Sequence, residues 1–380
     1  MTAIKNAKIV LETGIIWNGI LLIEGDRICA VGKAGELEIP AGAEVLDAEG
    51  KYVGPGFVDL HVHGGDGHMF DYQPLETAEH FLKHGETSQL ATLYYNLGKT
   101  EFVECIDRVK SVIGIGAGKA ITGFYMEGPY MNPKYGAAPD KNKWKGEIRK
   151  EDYQPLLDHA GDLAKIWAIA PEREGLEPFL QDAKKAYPGT VFAVGHSEAN
   201  PDQVAALRHY GLNIQTHCMN ATGRPEAMTG TRSCGPDEYC LTDPTMYAEL
   251  IVDSQGIHVH PDMLRMVLQV KGVDHTVLIS DSYVTGGDNP PPYDQIADLG
   301  FDHNGLLCGS KLTMEVACRN MMTHTNCGIT QAFLMASRNP ARVIGMDHEI
   351  GSIRPGKKAN LVFVDDMFHV YKVMLEGQLI

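Results

Sequence analysis

Histidine, glutamate and aspartate recur where short apolar runs of this chain end. His61 and His63 close Gly56-Phe57-Val58-Asp59-Leu60-His61-Val62-His63, Glu127 follows Phe124-Tyr125-Met126, and His196 follows Val194-Gly195. His217 follows Gln215-Thr216, and Asp281 follows Leu278-Ile279-Ser280. Imidazole and carboxylate are donors for divalent transition ions such as zinc, iron, manganese or cobalt. Two histidines two apart on a strand turn to the same side, so both rings of the His61/His63 pair can reach one ion at about 2.0–2.1 Å. Glu127, His196 and His217 supply three donors and leave one position open for water, the pattern of a catalytic rather than a structural metal site. A metal there lowers the pKa of a water to about 7, and Asp281 could accept its proton and return it to a leaving amine. The His61/His63 pair could hold a second ion bridged by Glu127.

Taken singly, each residue has an ordinary reading: two hydrogen-bonded histidines near a turn, a solvated carboxylate at a strand end, a turn or cap aspartate. Their conjunction carries the metal reading. Eight apolar runs read as strands, near 57–63, 88–94, 121–127, 164–170, 190–196, 212–217, 247–253 and 276–281. The ligand types fall at the ends of the first, third, fifth, sixth and eighth of these. Helical patterns lie between most of them, at Leu75 to His84, Phe102 to Val112, Leu176 to Tyr187, Pro201 to His209 and Pro261 to Val270. Alternating strand and helix imply a parallel sheet with crossover helices, and eight strands imply an α/β chain of the (β/α)8 TIM-barrel type, whose active sites gather at the C-terminal ends of the strands. The stretch Gly286 to Pro292 reads as a loop beside one of those ends.

The two flanks have a different texture. Short alternating strands broken by turns occupy residues 7–31, and Leu361-Val362-Phe363-Val364, a turn at Asp365-Asp366 and Val370-Tyr371-Lys372-Val373 repeat the pattern near the other end. The expected division is a small β-sandwich from residues 1–53 plus 350–380 and a catalytic barrel from 54–349. A length of 380 residues with 44% hydrophobic content suits a barrel plus a small accessory domain. With 33 basic and 49 acidic residues the formal charge is −16, which argues against nucleic acid or an anionic membrane as partner. Eight cysteines without a CxxC pair, and no run of apolar residues long enough to span a bilayer, point to reduced thiols and a cytoplasmic protein.

The motifs in order are Pro55-Gly56-Phe57-Val58-Asp59, Glu127-Gly128-Pro129, Gly195-His196-Ser197, His217 with Asn220-Ala221, Gly256-Ile257-His258, Ile279-Ser280-Asp281, Gly309-Ser310-Lys311-Leu312-Thr313, Asn339-Pro340-Ala341 and Gly356-Lys357-Lys358-Ala359-Asn360. This series resembles the amidohydrolase superfamily and, within it, the N-acetylglucosamine-6-phosphate deacetylases. The resemblance implies one or two divalent metals, zinc foremost, with Glu127, His196 and His217 on the main ion and Asp281 as general acid and base. It also implies cleavage of the acetamide of an amino-sugar phosphate, the glucosamine or the galactosamine epimer, by a homodimer. Asn220 and Ala221 match the phosphate-side segment, His258 a substrate-contacting histidine, and Arg224, with Arg232 as alternative, the phosphate arginine; in the family's dimers the partner subunit helps hold the phosphate, and His258 and Arg224 are the residues expected to cross to the neighbouring site. One departure stands out: where the family usually has Lys-Gly-Ala-His, with the histidine on substrate, this chain runs Lys134-Tyr135-Gly136-Ala137-Ala138-Pro139. The alternatives are another N-acyl or cyclic amide as substrate, or a catalytically silent barrel with a binding role.

Overall fold

The computed structural model describes residues 1–285 and 288–380. All eight expected strands are present: Phe57–Val62, Glu86–Tyr94, Ile121–Glu127, Ala164–Ile169, Val191–Val194, Leu212–Gln215, Tyr247–Ile251 and Thr276–Ile279. They lie side by side in chain order in one eight-stranded parallel sheet. The last strand returns to the first at the C-terminal end, where the Asp281 amide donates to the His61 carbonyl at 2.8 Å and the His63 amide to the Ser282 carbonyl at 2.9 Å. That seam closes the barrel between two of the expected site segments.

Near-continuous apolar runs suit strands covered on both faces. Phe124, Tyr125 and Met126, and Phe192, Ala193 and Val194, are fully buried. Outside the strands, Phe179 on the helix Leu176–Ala186 is the hub of an aromatic cluster, with ring centroids 5.1 Å from Tyr130, 5.3 Å from Tyr153 and 5.1 Å from Trp167. Rings set edge to face bury large areas and fix the helix angle against the sheet.

The five expected helices are found with shifted ends. The one anticipated from Phe102 starts at Lys99, because Glu101 folds back to accept the Gly98 amide at 2.7 Å and so supports a polar first turn that apolar periodicity does not report. The one anticipated to reach His209 ends as an α-helix at Leu207 and continues as a 3-10 turn, Arg208–Tyr210. Of the loop expected over 286–292, Gly286 and Gly287 lie outside the described residues, and 288–292 run as irregular chain and turn. Beyond it lies an element the sequence pattern did not announce, an antiparallel hairpin of Leu299–Phe301 and Leu307–Ser310.

The β layer is one hydrogen-bonded sheet of eight strands rather than two separately bonded ones. Its first strand, Thr2–Leu11, pairs along one edge with Gly14–Glu24, while on the other edge Thr2 to Lys5 pair with Glu44–Asp47 and Lys8 and Ile9 pair with Tyr52 and Val53. The change of partner falls beside Asn6, a left-handed residue at φ 54°. Tyr52–Pro55 then pairs with Leu361–Val364. Ile4, Ile9, Leu21, Val53, Leu361 and Phe363 form its enclosed core.

Gly56, at the join between sheet and barrel, has no room for a side chain: an added Cβ would sit 2.1 Å from Thr87 Oγ1. Because Thr87 is itself buried, Gly56→Ala should destabilise the fold by about 1–3 kcal/mol, the usual cost of overpacking. A urea or thermal melt reads this directly, and an unchanged midpoint would show that the join relaxes freely.

Candidate active site

Each expected metal-binding or acid/base residue reaches the mouth of the barrel on the strand assigned to it. His61 lies in the first strand and His63 just beyond it, Glu127 ends the third, and His196, His217 and Asp281 follow the fifth, sixth and eighth within two residues. The last three have left-handed backbones, at φ 48°, 25° and 46°. Such conformations cost non-glycine residues about 1–3 kcal/mol each and persist only where surrounding structure over-determines them. Here they swing three side chains out of the strand direction and over the barrel axis.

The Glu127 carboxylate is the centre of the arrangement. Its Oε1 lies 2.7 Å from His196 Nε2 and 3.4 Å from His217 Nε2, and its Oε2 lies 3.1 Å from His63 Nε2 and 3.4 Å from His61 Nε2. One oxygen therefore faces each histidine pair. Asp281 Oδ1 stands 3.4 Å from His63 Nε2 and 3.6 Å from His61 Nε2. The ligand atoms of His61, His63 and Glu127, and again those of Glu127, His196 and His217, lie within 4.8 Å of one another.

This donor set fits divalent ions. His196 Nε2 and His217 Nε2 are 3.1 Å apart, two nitrogens facing each other across a buried space. The Nε2 of the fully buried His61 has no hydrogen-bond partner, an unfavourable state that a cation there would relieve. Burial drives the His196 imidazole below its usual pKa, which keeps it in the neutral form that binds metal. The His217 Nδ1–H donates to the Asn220 carbonyl at 3.1 Å, leaving Nε2 as the free lone pair. Without an ion the carboxylates carry the balance. Burial opposes charge on Glu127, but His61 and the neighbouring histidines outweigh it and hold the carboxyl well below its ordinary range. Asp281 is lowered in the same way: burial raises it, and His61 and His63 more than offset that.

Sequence reasoning missed Glu249. It sits wholly buried in the middle of Tyr247–Ile251, with Oε2 3.5 Å from His61 Nδ1, 3.3 Å from the His217 amide and 3.4 Å from the Tyr125 hydroxyl. A carboxylate behind a ligand histidine fixes the ring and its tautomer, and losing such a partner typically lowers metal affinity 10- to 100-fold. Glu249→Gln should therefore weaken metal at the His61/His63/Glu127 trio by about that factor while leaving the ion on Glu127, His196 and His217. Chelator competition resolves the two, and equal loss from both would mean that Glu249 supports the whole mouth.

Beyond the trio opens a cleft of about 570 Å³. His63, Glu127, His196, His217 and Asp281 form its floor; Asn220 and Ala221, Tyr94, Tyr283 and the segment from Lys134 to Ala138 form its walls; and the hairpin residues Phe301 to Gly309 cover one side. The expected substrate residues divide. Asn220 and Ala221 line the cleft. Arg224 does not: it points to Glu238, and Arg232 approaches the same carboxylate. Neither does His258, which is buried with Nδ1 3.0 Å from Asp253 Oδ2 and Nε2 2.9 Å from the Gly309 carbonyl. With both nitrogens occupied, His258 braces the backbone of a cleft residue instead of facing the cleft.

A model of the amidohydrolase family matches residues 52–380. The chain belongs to the amidohydrolase family. It is thus a hydrolase of carbon–nitrogen bonds, and the family resemblance read from its motifs holds along nearly its whole length. It is 29% identical over 352 residues, 90% of each chain, to N-acetylgalactosamine-6-phosphate deacetylase of Escherichia coli O157:H7. The crystal structure of N-acetylglucosamine-6-phosphate deacetylase from Pasteurella multocida superposes with a TM-score of 0.87 at 26% identity, covering 100% of this chain and 99% of that one. A variant of the Mycobacterium smegmatis N-acetyl-D-glucosamine-6-phosphate deacetylase, in complex with N-acetyl-D-glucosamine-6-phosphate, superposes with a TM-score of 0.84 at 27% identity, covering 100% and 98%. No helix among the described residues is long and apolar enough to cross a membrane, and all eight cysteines are free thiols.

Proposed function

We propose that this amidohydrolase is a metal-dependent deacetylase that hydrolyses the acetamide of an N-acetyl amino-sugar 6-phosphate, the glucosamine or the galactosamine epimer, to amine and acetate. The observation that carries the reading is the position of Asp281: it stands on the cleft floor beside the two metal-type trios and is tied to the first strand through the His61 carbonyl. The relatives described above support the substrate class.

Glu127, His196 and His217 would hold the main ion, and His61 and His63, sharing Glu127, a second. Such an ion supplies Lewis acidity, polarising a carbonyl and acidifying water. The remaining steps belong to the chain. The Asp281 carboxylate, on the cleft floor, takes the proton of the attacking water as the water adds to the acetamide carbon. It then delivers that proton to the departing nitrogen, so that one carboxylate serves as base and acid in turn. Tyr94, Tyr283 and residues of the hairpin line the cleft beside these groups. Asn220 and Ala221 face the sugar.

Imidazole and carboxylate donors favour zinc, with iron, manganese or cobalt as alternatives. This reading also includes a cytoplasmic location, in keeping with eight free thiols, and a homodimer, in which Arg224 could serve a neighbouring cleft. A second reading, a different N-acyl or cyclic amide, is favoured by one feature: Ala138 occupies the cleft wall where the family histidine is expected. The test is acetate release by metal-analysed protein from N-acetylglucosamine-6-phosphate, its galactosamine epimer and both unphosphorylated sugars. Rapid turnover of one phosphorylated sugar supports the deacetylase reading. Inertness toward all four with metal bound would remove it.

A further inference from the structure

Asp59 lies fully buried in the middle of the first barrel strand, Phe57–Val62, and no step of the chemistry above uses it. A carboxylate in such a place is costly unless its oxygens are bonded, and here only one is. Oδ1 accepts the His61 amide at 3.1 Å and the Ser280 amide at 3.3 Å, while Oδ2 has no partner among the described residues. The first contact is local. The second crosses to Ser280, the residue directly after the eighth strand, Thr276–Ile279.

That crossing falls where the barrel has no ladder. Strands one and eight are the two ends of the sheet order, and among the described residues no strand register pairs them. Main-chain bonds close the seam only at the mouth, from Asp281 to His61 and from His63 to Ser282. At the level of Asp59 a side chain spans it instead. An apolar residue would fill the same space but offer neither amide an acceptor.

Ser280 is thereby gripped on both main-chain groups, the amide by Asp59 and the carbonyl by the Ser310 hydroxyl at 2.6 Å. The next residue is Asp281, whose left-handed backbone at φ 46° holds only where its surroundings over-determine it. Asp59 also holds the His61 amide. The two residues whose side chains meet at 3.6 Å, His61 through Nε2 and Asp281 through Oδ1, therefore hang from one buried oxygen. Misplacing a reacting group by about 1 Å costs on the order of 10²-fold in rate.

We propose that Asp59 is a positioning residue for the reaction, setting Asp281 against His61 by accepting the His61 and Ser280 amides across the seam. It does not line the cleft and acts only through those two residues. The proposal rests on the deacetylase reading for the role of Asp281, and its test separates the two.

Zinc-loaded wild type, Asp59→Asn and Asp59→Leu are compared on N-acetylglucosamine-6-phosphate and its galactosamine epimer, well below each thermal midpoint. Cobalt-loaded samples of the same three proteins are read by visible absorption, which follows the geometry of the ligands, His61 among them. Asparagine keeps the accepting oxygen. Leucine keeps the bulk, and exchanging a buried charge for an apolar residue of similar volume is often neutral for stability. Asp59→Leu should lower kcat about 10- to 100-fold with KM within about twofold, and Asp59→Asn should stay within about threefold of wild type. The cobalt band should move in Asp59→Leu and match wild type in Asp59→Asn. Wild-type kcat in Asp59→Leu, even with a lower midpoint, makes Asp59 merely structural and overturns the proposal. So does an Asp59→Asn protein that falls as far as Asp59→Leu. If Asp59→Leu does not fold, Asp59→Ala takes its place under the same criteria. If wild type hydrolyses neither sugar, the deacetylase reading fails and the cobalt band decides Asp59 alone: a band displaced in Asp59→Leu and kept in Asp59→Asn upholds the positioning role, and one band common to all three overturns it.

Discussion

Asp281→Asn should fold, retain the ion held by Glu127, His196 and His217, and lose about 10²–10⁴-fold in kcat, the range contributed by a positioned acid/base group. Asparagine keeps the shape of the side chain, and the Asp281 main chain keeps its bonds, an amide to the His61 carbonyl and a carbonyl accepting from the Ser310 amide at 2.7 Å. Only the proton acceptor disappears. Acetate release paired with elemental metal analysis on the same sample is the measurement. An Asp281→Asn protein within tenfold of wild type would sink the assigned role, and one that had lost its metal would recast Asp281 as a ligand.

Glu127→Gln should behave in the opposite way, losing metal first and activity as a consequence. Each Glu127 oxygen faces a different histidine pair, so one substitution removes the only carboxylate common to both trios. Four buried imidazoles then converge on a neutral amide. Removing the charged partner of a buried cluster typically costs about 3–5 kcal/mol, and the metal-binding energy that stabilises the folded state is lost with it. The expected outcome is metal content below a tenth of wild type, a fall in the thermal midpoint of the metal-loaded sample, and turnover down by more than about 10³-fold. Full metal occupancy in Glu127→Gln would mean that the histidines suffice and that the carboxylate serves another purpose.

The strands and the site residues at their ends were legible for one physical reason: a parallel barrel strand is covered on both faces, so it spells a short unbroken apolar word, and a polar residue closing that word is conspicuous. Glu249 escaped because it interrupts such a word, Tyr247-Ala248-Glu249-Leu250-Ile251, where a lone carboxylate resembles a solvent-facing position. Its burial depends on His61 and His217, which are far away in sequence. That Arg224 and His258 lie outside the cleft of their own chain was not legible for a related reason. A motif gives a residue type and a place in order, but whether a guanidinium faces a cleft or Glu238 is decided by the irregular chain between Ala221 and Gly235, which carries no periodicity. The hairpin over the cleft went unread because its strands, Leu299–Phe301 and Leu307–Ser310, are too short for alternation to register.

The pairing of Tyr52–Pro55 with Leu361–Val364 bears on how the molecule is made. A ribosome emits the first of these strands early and the second only after the whole barrel, on the order of tens of seconds later at about 5–20 residues per second. Throughout that interval the nascent chain carries an edge whose complement does not yet exist, with Val53 destined for full burial beside it. Unpaired apolar edges of this kind recruit the wrong neighbour. The yield of folded protein should therefore respond more to translation speed and growth temperature than its finished stability would suggest.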